Sequence, residues 1–145
     1  MADTIKFRCD VKTTNSEVPL GFEVLFDDKS VYKNDHIKDT CQVMFDIDDN
    51  EAIHKLQFVM TGKTADHTKV DDQGNITSDA VLEIYDIQID DILIDQLLSD
   101  KLEYLHDFNG SQNTITDKFY GIMGCNGTAS FEFSTPFYLW LLEHM

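Results

Sequence analysis

The residues with the clearest capacity for chemistry are acids and amides gathered in one stretch: Asp66, Asp71, Asp72, Asn75 and Asp79. Calcium takes roughly six to eight oxygens from carboxylates, amide and backbone carbonyls and water, and clustered Asp and Asn on a loop supply such a set. Gly74, within Asp72-Gln73-Gly74-Asn75, allows a sharp turn that could gather these oxygens. The four acids repel one another unless a cation or water stands between them. The stretch therefore reads either as a calcium site or as a mobile acidic loop, and both readings stay open. A second acidic run, Asp46, Asp48, Asp49, Asn50 and Glu51, begins like an EF-hand loop. Glu51 stands where the turn glycine belongs, and Gln57 where the bidentate Glu belongs, so a solvated turn is the better reading.

Catalytic constellations are missing. The chain has no Gly-x-Ser-x-Gly, no His-Glu-x-x-His and no glycine-rich phosphate loop. The five histidines, His36, His54, His67, His106 and His144, are scattered singly. His54 and His106 fall on apolar phases, where a satisfied structural role is the simpler account. Carboxylate pairs arise by chance among 27 acids, so they do not single out a glycosidase. No catalytic residue is assigned, and the chain is read as a protein that is not an enzyme.

Composition narrows the partners. The 145 residues carry 27 acids and 11 bases, a net charge of -16, and Arg8 is the sole arginine. Phosphate backbones and anionic membranes are poor partners for such a surface. A hydrophobic content of 42% is too high for a disordered acidic chain, so the charge coats something folded. Met1 to Ile5 carries no apolar signal core and no segment reaches a membrane span, which points to a soluble protein made in the cytoplasm. Cys9, Cys41 and Cys125 are odd in number and read as buried thiols.

These side chains must be positioned by strands. Ile5, Phe7, Cys9 and Val11 alternate with Lys6, Arg8, Asp10 and Lys12, the pattern of a strand with one face buried. The same period recurs in Leu20, Phe22, Val24 and Phe26, in Cys41, Val43, Phe45 and Ile47, and in Leu56, Phe58 and Met60. Val31-Tyr32-Lys33 is expected to return as a hairpin mate after Asp27-Asp28, and Asp39 to Asp48 is expected to pair with His54 to Thr61. Gly62 to Asp79 has no periodicity and reads as a long loop. Between Ala80 and Asp90 the apolar phase shifts, which predicts a bulge near Tyr85-Asp86. Asp95 to Lys101 could form a helical turn before Leu102, Tyr104, His106 and Phe108 alternate. Asn126-Gly127 predicts a type I′ hairpin between Phe119 to Gly124 and Ala129, Phe131 and Phe133. Thr135-Pro136 predicts a helix start with Thr135 as cap, and the apolar run from Phe137 to His144 must plug the fold or dock on another subunit. The fold class is all-β: one domain over residues 1–145, an antiparallel β-sandwich of jelly-roll type with a short C-terminal helix.

The run Phe22-Glu23-Val24-Leu25-Phe26-Asp27, then Leu56-Gln57-Phe58-Val59-Met60, then the polar loop and Asp79 to Ile89, resembles the calcium-dependent xylan-binding carbohydrate-binding modules. That resemblance implies a loop whose carboxylates hold calcium, with the ion itself coordinating sugar hydroxyls, and it places Asp79 at a calcium-ligand position. Thr61-Gly62 stands where that family carries Asn-Asp and an aromatic residue. The run from Asp107-Phe108-Asn109-Gly110 through Asp117 to Gly121 and on to Trp140 is similar to small acidic proteins of marine tailed phages, which implies a virion-associated or host-surface-binding part.

Two functions follow as expectations. In one, the protein is a non-catalytic module binding a glycan or cell-surface polysaccharide through calcium, with Tyr85 or Tyr104 stacking on a sugar. In the other, it is a structural or assembly subunit of a virion that self-associates through Phe137, Trp140 and Leu141.

Overall fold

A computed structural model describes residues 4–49, 51–63, 69–106, 115–118, 121–123 and 126–144. In chain order the strands are β1 (Thr4–Thr13), β2 (Gly21–Phe26), β3 (Lys29–Asn34), β4 (Cys41–Asp48), β5 (Ala52–Thr61), β6 (Lys69–Val70), β7 (Ile76–Ser78), β8 (Leu82–Ile89) and β9 (Ile92–Leu93). Helix α1 (Asp95–Lys101), strands β10 (Glu103–His106), β11 (Ile115–Lys118), β12 (Ile122–Met123) and β13 (Gly127–Thr135), and helix α2 (Phe137–His144) follow. One antiparallel sheet runs β12-β8-β1-β4 with β9 beside β8, and a second runs β11-β10-β13-β5-β2-β3.

The period-2 residues become the inner faces. Ile5, Phe7, Cys9 and Val11 of β1 are buried, as are Phe22 and Val24 of β2, Leu56, Phe58 and Met60 of β5, and Leu82, Ile84, Ile87 and Ile89 of β8. Rings join the two sheets across the interior: Phe7 of β1 lies 6.3 Å from Phe58 of β5, and Phe26 of β2 lies 5.4 Å from Phe45 of β4. The protein is thus an antiparallel β-sandwich closed by a short C-terminal helix. Each fully buried side chain of this size contributes about 1.5–3 kcal/mol.

Two turns are built from paired aspartates. Asp27-Asp28 joins β2 to β3 and Asp90-Asp91 joins β8 to β9, with all four residues at positive φ. Aspartate tolerates the left-handed region better than most side chains, and a two-residue turn of this hand matches strand twist. The expected bulge is present: Arg8 faces Gln88 and Asp10 faces Tyr85, so Cys9 alone spans Asp86 and Ile87. Asp86 takes φ 51°, and the Ile87 N–H is accepted by Asp95 Oδ1 of α1 at 2.7 Å. Burial raises the Asp95 carboxyl above its ordinary range, with the Asp86 charge adding to it against the pull of the amides.

Two expected hairpins are overturned. β4 pairs with β1 in the first sheet, whereas β5 lies between β13 and β2 in the second, so these two strands belong to opposite sheets. β12 pairs with β8, whereas β13 pairs with β10 and β5, so Asn126-Gly127 makes no hairpin turn. Gly127 serves close packing: a Cβ there would lie 2.2 Å from the Leu105 carbonyl oxygen. Asn126 bonds both backbone groups of Lys63. The long polar loop also holds structure, since β6 and β7 pair as a small hairpin. Strands of two and three residues are too short to leave a period in the sequence.

Helix α2 starts differently from expectation. Thr135 belongs to β13, and its hydroxyl donates to the Ala52 carbonyl. The cap is Asp49, whose Oδ1 accepts the Phe137 N–H at 2.9 Å, and the Tyr138 hydroxyl donates to Asp90. Phe137 and Trp140 are buried and Leu141 packs against the core, while Tyr138, Leu139 and Leu142 are exposed. The helix closes one end of the sandwich.

Candidate functional site

Strand β13 is paired on both sides, and its register sets the outer face of the second sheet. Glu103 of β10 faces Ser130, Ser130 faces Gln57, and Glu132 faces Lys55 of β5. Residues two apart share a face, so Lys55, Gln57, Glu103, Ser130 and Glu132 all project outward. The end of α1 at Lys101 and the last turn of α2 rise beside them. Together they enclose a depression of about 420 Å³ lined by Lys55, Lys101, Glu103, Ser130, Glu132, Trp140 and His144, with Phe131 beneath.

An aromatic stack forms one wall. Trp140 meets Phe131 edge-on at 5.4 Å and stacks on His144 at 4.3 Å with planes 20° apart. Trp140 itself is only 7% exposed, so His144 presents the more accessible ring. His144 Nδ1 lies 2.7 Å from the Trp140 carbonyl oxygen. A carbonyl only accepts, so Nδ1 carries the proton, and Nε2 accepts when the ring is neutral.

The charges of this groove are uncommitted. Among the described residues the ion pairs are Lys12 with Glu83, His54 with Asp27, and Lys63 with Asp79. Lys55, Lys101, Glu103 and Glu132 therefore bring two ammonium donors and two carboxylate acceptors to one depression without pairing. Ser130 adds a hydroxyl, bonded to Gln57 Nε2 at 3.4 Å. Such a set can bind a neutral molecule rich in hydroxyls, each of which donates and accepts.

A His-Asp-Thr arrangement lies elsewhere and serves the fold. His54 Nδ1 meets Asp27 Oδ2 at 2.7 Å, and His54 Nε2 lies 3.4 Å from Thr135 Oγ1. Asp27 Oδ1 accepts the Lys55 N–H, and the His54 ring stacks on Phe26 at 5.0 Å. Burial opposes ionisation of Asp27, but the hydrogen bonds from His54 and the Lys55 amide outweigh it and hold the carboxyl below its ordinary range. His54 and Thr135 are both buried, which confirms the structural reading of this histidine.

The acidic set proposed for calcium separates. Asp66 lies outside the described residues. Asp71 organises the β6–β7 turn: its Oδ1 accepts from the Gln73 and Asn75 amides, and its Oδ2 from Asn75 Nδ2. The Asn75 and Gln73 amides hold the Asp71 carboxyl below the usual carboxylate range. Asp72 and Asn75 are exposed on the same turn. Asp79 Oδ1 lies 2.7 Å from Lys63 Nζ and also accepts the Ala80 N–H. Among the described residues no three His, Cys, Asp or Glu side chains come together to hold a metal ion. The described members of the calcium set do not fit a shared ion.

The two tyrosines also part company. Tyr85 lies on the outer face of the first sheet, with Lys12 Nζ 5.2 Å above its ring. Tyr104 is 5% exposed and packs on His106 at 4.7 Å, so no sugar face can reach it. Phe137, Trp140 and Leu141, the residues expected at a subunit interface, face the core instead. Cys9 is buried, which pushes its thiol well up, and neither Cys9 nor Cys41 is in a disulfide; Cys125 lies outside the described residues. No helix among the described residues is long and apolar enough to cross a membrane.

No protein-family model matches the chain, and no curated protein matches it. Among solved structures the chain is similar to "vCBM60 in complex with galactobiose", with a TM-score of 0.48 and 10% identity over 89% of this chain and 97% of that one. It is also similar to the selenomethionine form of vCBM60, described under "Circular permutation provides an evolutionary link between two families of calcium-dependent carbohydrate binding modules", with a TM-score of 0.46 and 10% identity over 88% of this chain and 89% of that one. The side chains of the groove are argued on their own.

Proposed function

We propose that the chain is a non-catalytic binding module whose groove on the second sheet receives a neutral glycan. The observation that carries the reading is the meeting of four unpaired charged groups with the Trp140–His144 stack in one depression. A volume of about 420 Å³ falls within the roughly 300–1,000 Å³ of small-ligand sites, enough for the end of an oligosaccharide. Sugar hydroxyls take donors and acceptors together, which Lys55, Lys101, Glu103 and Glu132 supply. The apolar side of a sugar ring suits an imidazole backed by an indole. A net charge of -16 disfavours polyanions, so a neutral chain is the fitting class. Glu103 and Glu132 are both exposed, whereas a glycosidase keeps its acid apart from water, which favours binding over hydrolysis.

Trp140 is the single tryptophan and lines the groove, so its fluorescence reports occupancy. Titration with xylo-oligosaccharides, gluco-oligosaccharides and galactobiose should give a saturable change with at least one of them. Lys55→Met and Glu132→Gln should each weaken that binding about tenfold, the worth of one charged hydrogen bond, with Tm unchanged. Silence across the whole panel, or affinity untouched by both substitutions, would sink the proposal.

A further inference from the structure

Lys63 follows β5 and is one of the few charged side chains buried among the described residues, with its side chain 2% exposed. Its position is fixed from three directions. The backbone N–H donates to Asn126 Oδ1 at 3.0 Å, and the carbonyl accepts from Asn126 Nδ2 at 2.6 Å. Just before it, Gly62 takes φ 87° in a place where a Cβ would lie 2.3 Å from the Pro19 carbonyl oxygen. Nζ then reaches Asp79 Oδ1 at 2.7 Å, at the point where the chain returns from the β6–β7 hairpin to β8.

An ammonium withdrawn from water is costly unless it meets an opposite charge at short range, and here Asp79 provides one. Asp79 is also the carboxylate for which the family resemblance implies calcium. A divalent ion on the same oxygens would sit within a few ångströms of a buried positive charge, a repulsion that water reaching the 31% exposed Asp79 side chain screens only in part. We infer that the Lys63 ammonium is the resident cation of Asp79, a built-in substitute for a metal ion, and that Asp79 does not ligate calcium. The inference is independent of the glycan groove. Lys55 lies on β5 six residues before its end at Thr61, roughly 20 Å along an extended strand, and the two claims are read by different measurements.

The test uses the full chain stripped with EDTA and melted with and without calcium chloride as the sole added metal. A calcium site saturated a hundredfold would raise Tm by roughly 5 °C or more. The expected result is that the calcium-induced shift is the same in the wild type and in Asp79→Asn. A shift larger in the wild type by roughly 5 °C would overturn the inference, because Asp79 would then be holding the metal. Lys63→Met and Asp79→Asn should each lower Tm, and the double variant should lose less than the two losses combined. Additive losses would show that the pair is not coupled and would also overturn it. Should Lys63→Met fail to fold, the comparison of wild type with Asp79→Asn decides alone.

Discussion

Single carboxylates in this protein have distinct tasks that their neighbours assign. Asp27 holds His54 and the Lys55 amide, Asp49 caps α2, Asp71 closes a turn and Asp95 takes the amide freed by the bulge. None of these roles is visible in a run of aspartates, because each depends on which donor the fold brings near. Asp27 yields a prediction with a definite sign. Its carboxyl lies below the usual range when folded, so in acid the unfolded chain binds the proton first and stability rises with pH there. The contribution is present above the unfolded value of about 4 and disappears as pH falls through the folded value. The Tm gap between wild type and Asp27→Asn, followed from about pH 6 down to about pH 2, should therefore narrow below about pH 4. A gap constant across that range would mean that the ionised form of Asp27 is not what stabilises His54.

Among the elements, α2 offers the sharpest contrast between faces. Phe137 is fully buried against Phe133, whereas Leu142 is 73% exposed. Phe137→Ala should cost about 3–5 kcal/mol, and Leu142→Ser should stay within about 0.5 kcal/mol with no change in mass by light scattering. A dissociation of oligomers on Leu142→Ser would return the helix to the docking role that its apolar composition also allows. The inner faces of the strands were legible from alternation, as Phe7, Phe22 and Phe58 attest. Pairing was not, since a period of two separates inside from outside and says nothing about neighbours. That is why Asn126-Gly127 looked like a turn. It is also why the sequence does not reveal the groove, as Lys55, Glu103 and Glu132 meet only because β13 lies between β10 and β5.

At the scale of the whole molecule, a charge of -16 on 145 residues makes self-repulsion a general tax on the folded state. Raising salt from about 0.01 M to about 0.15 M shortens the screening length from roughly 30 Å to roughly 8 Å, so Tm should climb over that interval. A fall would mean that exposed pairs such as Lys12–Glu83 outweigh the repulsion. The connectivity carries a further consequence. Strand β5 sits between β2, which precedes it by a short stretch, and β13, which arrives some seventy residues later in the chain. During synthesis a ribosome must therefore deliver the chain as far as β13 before that flank of β5 is sealed. Until then a nascent chain displays a bare hydrogen-bonding ridge, an open template on which a second chain could add a strand.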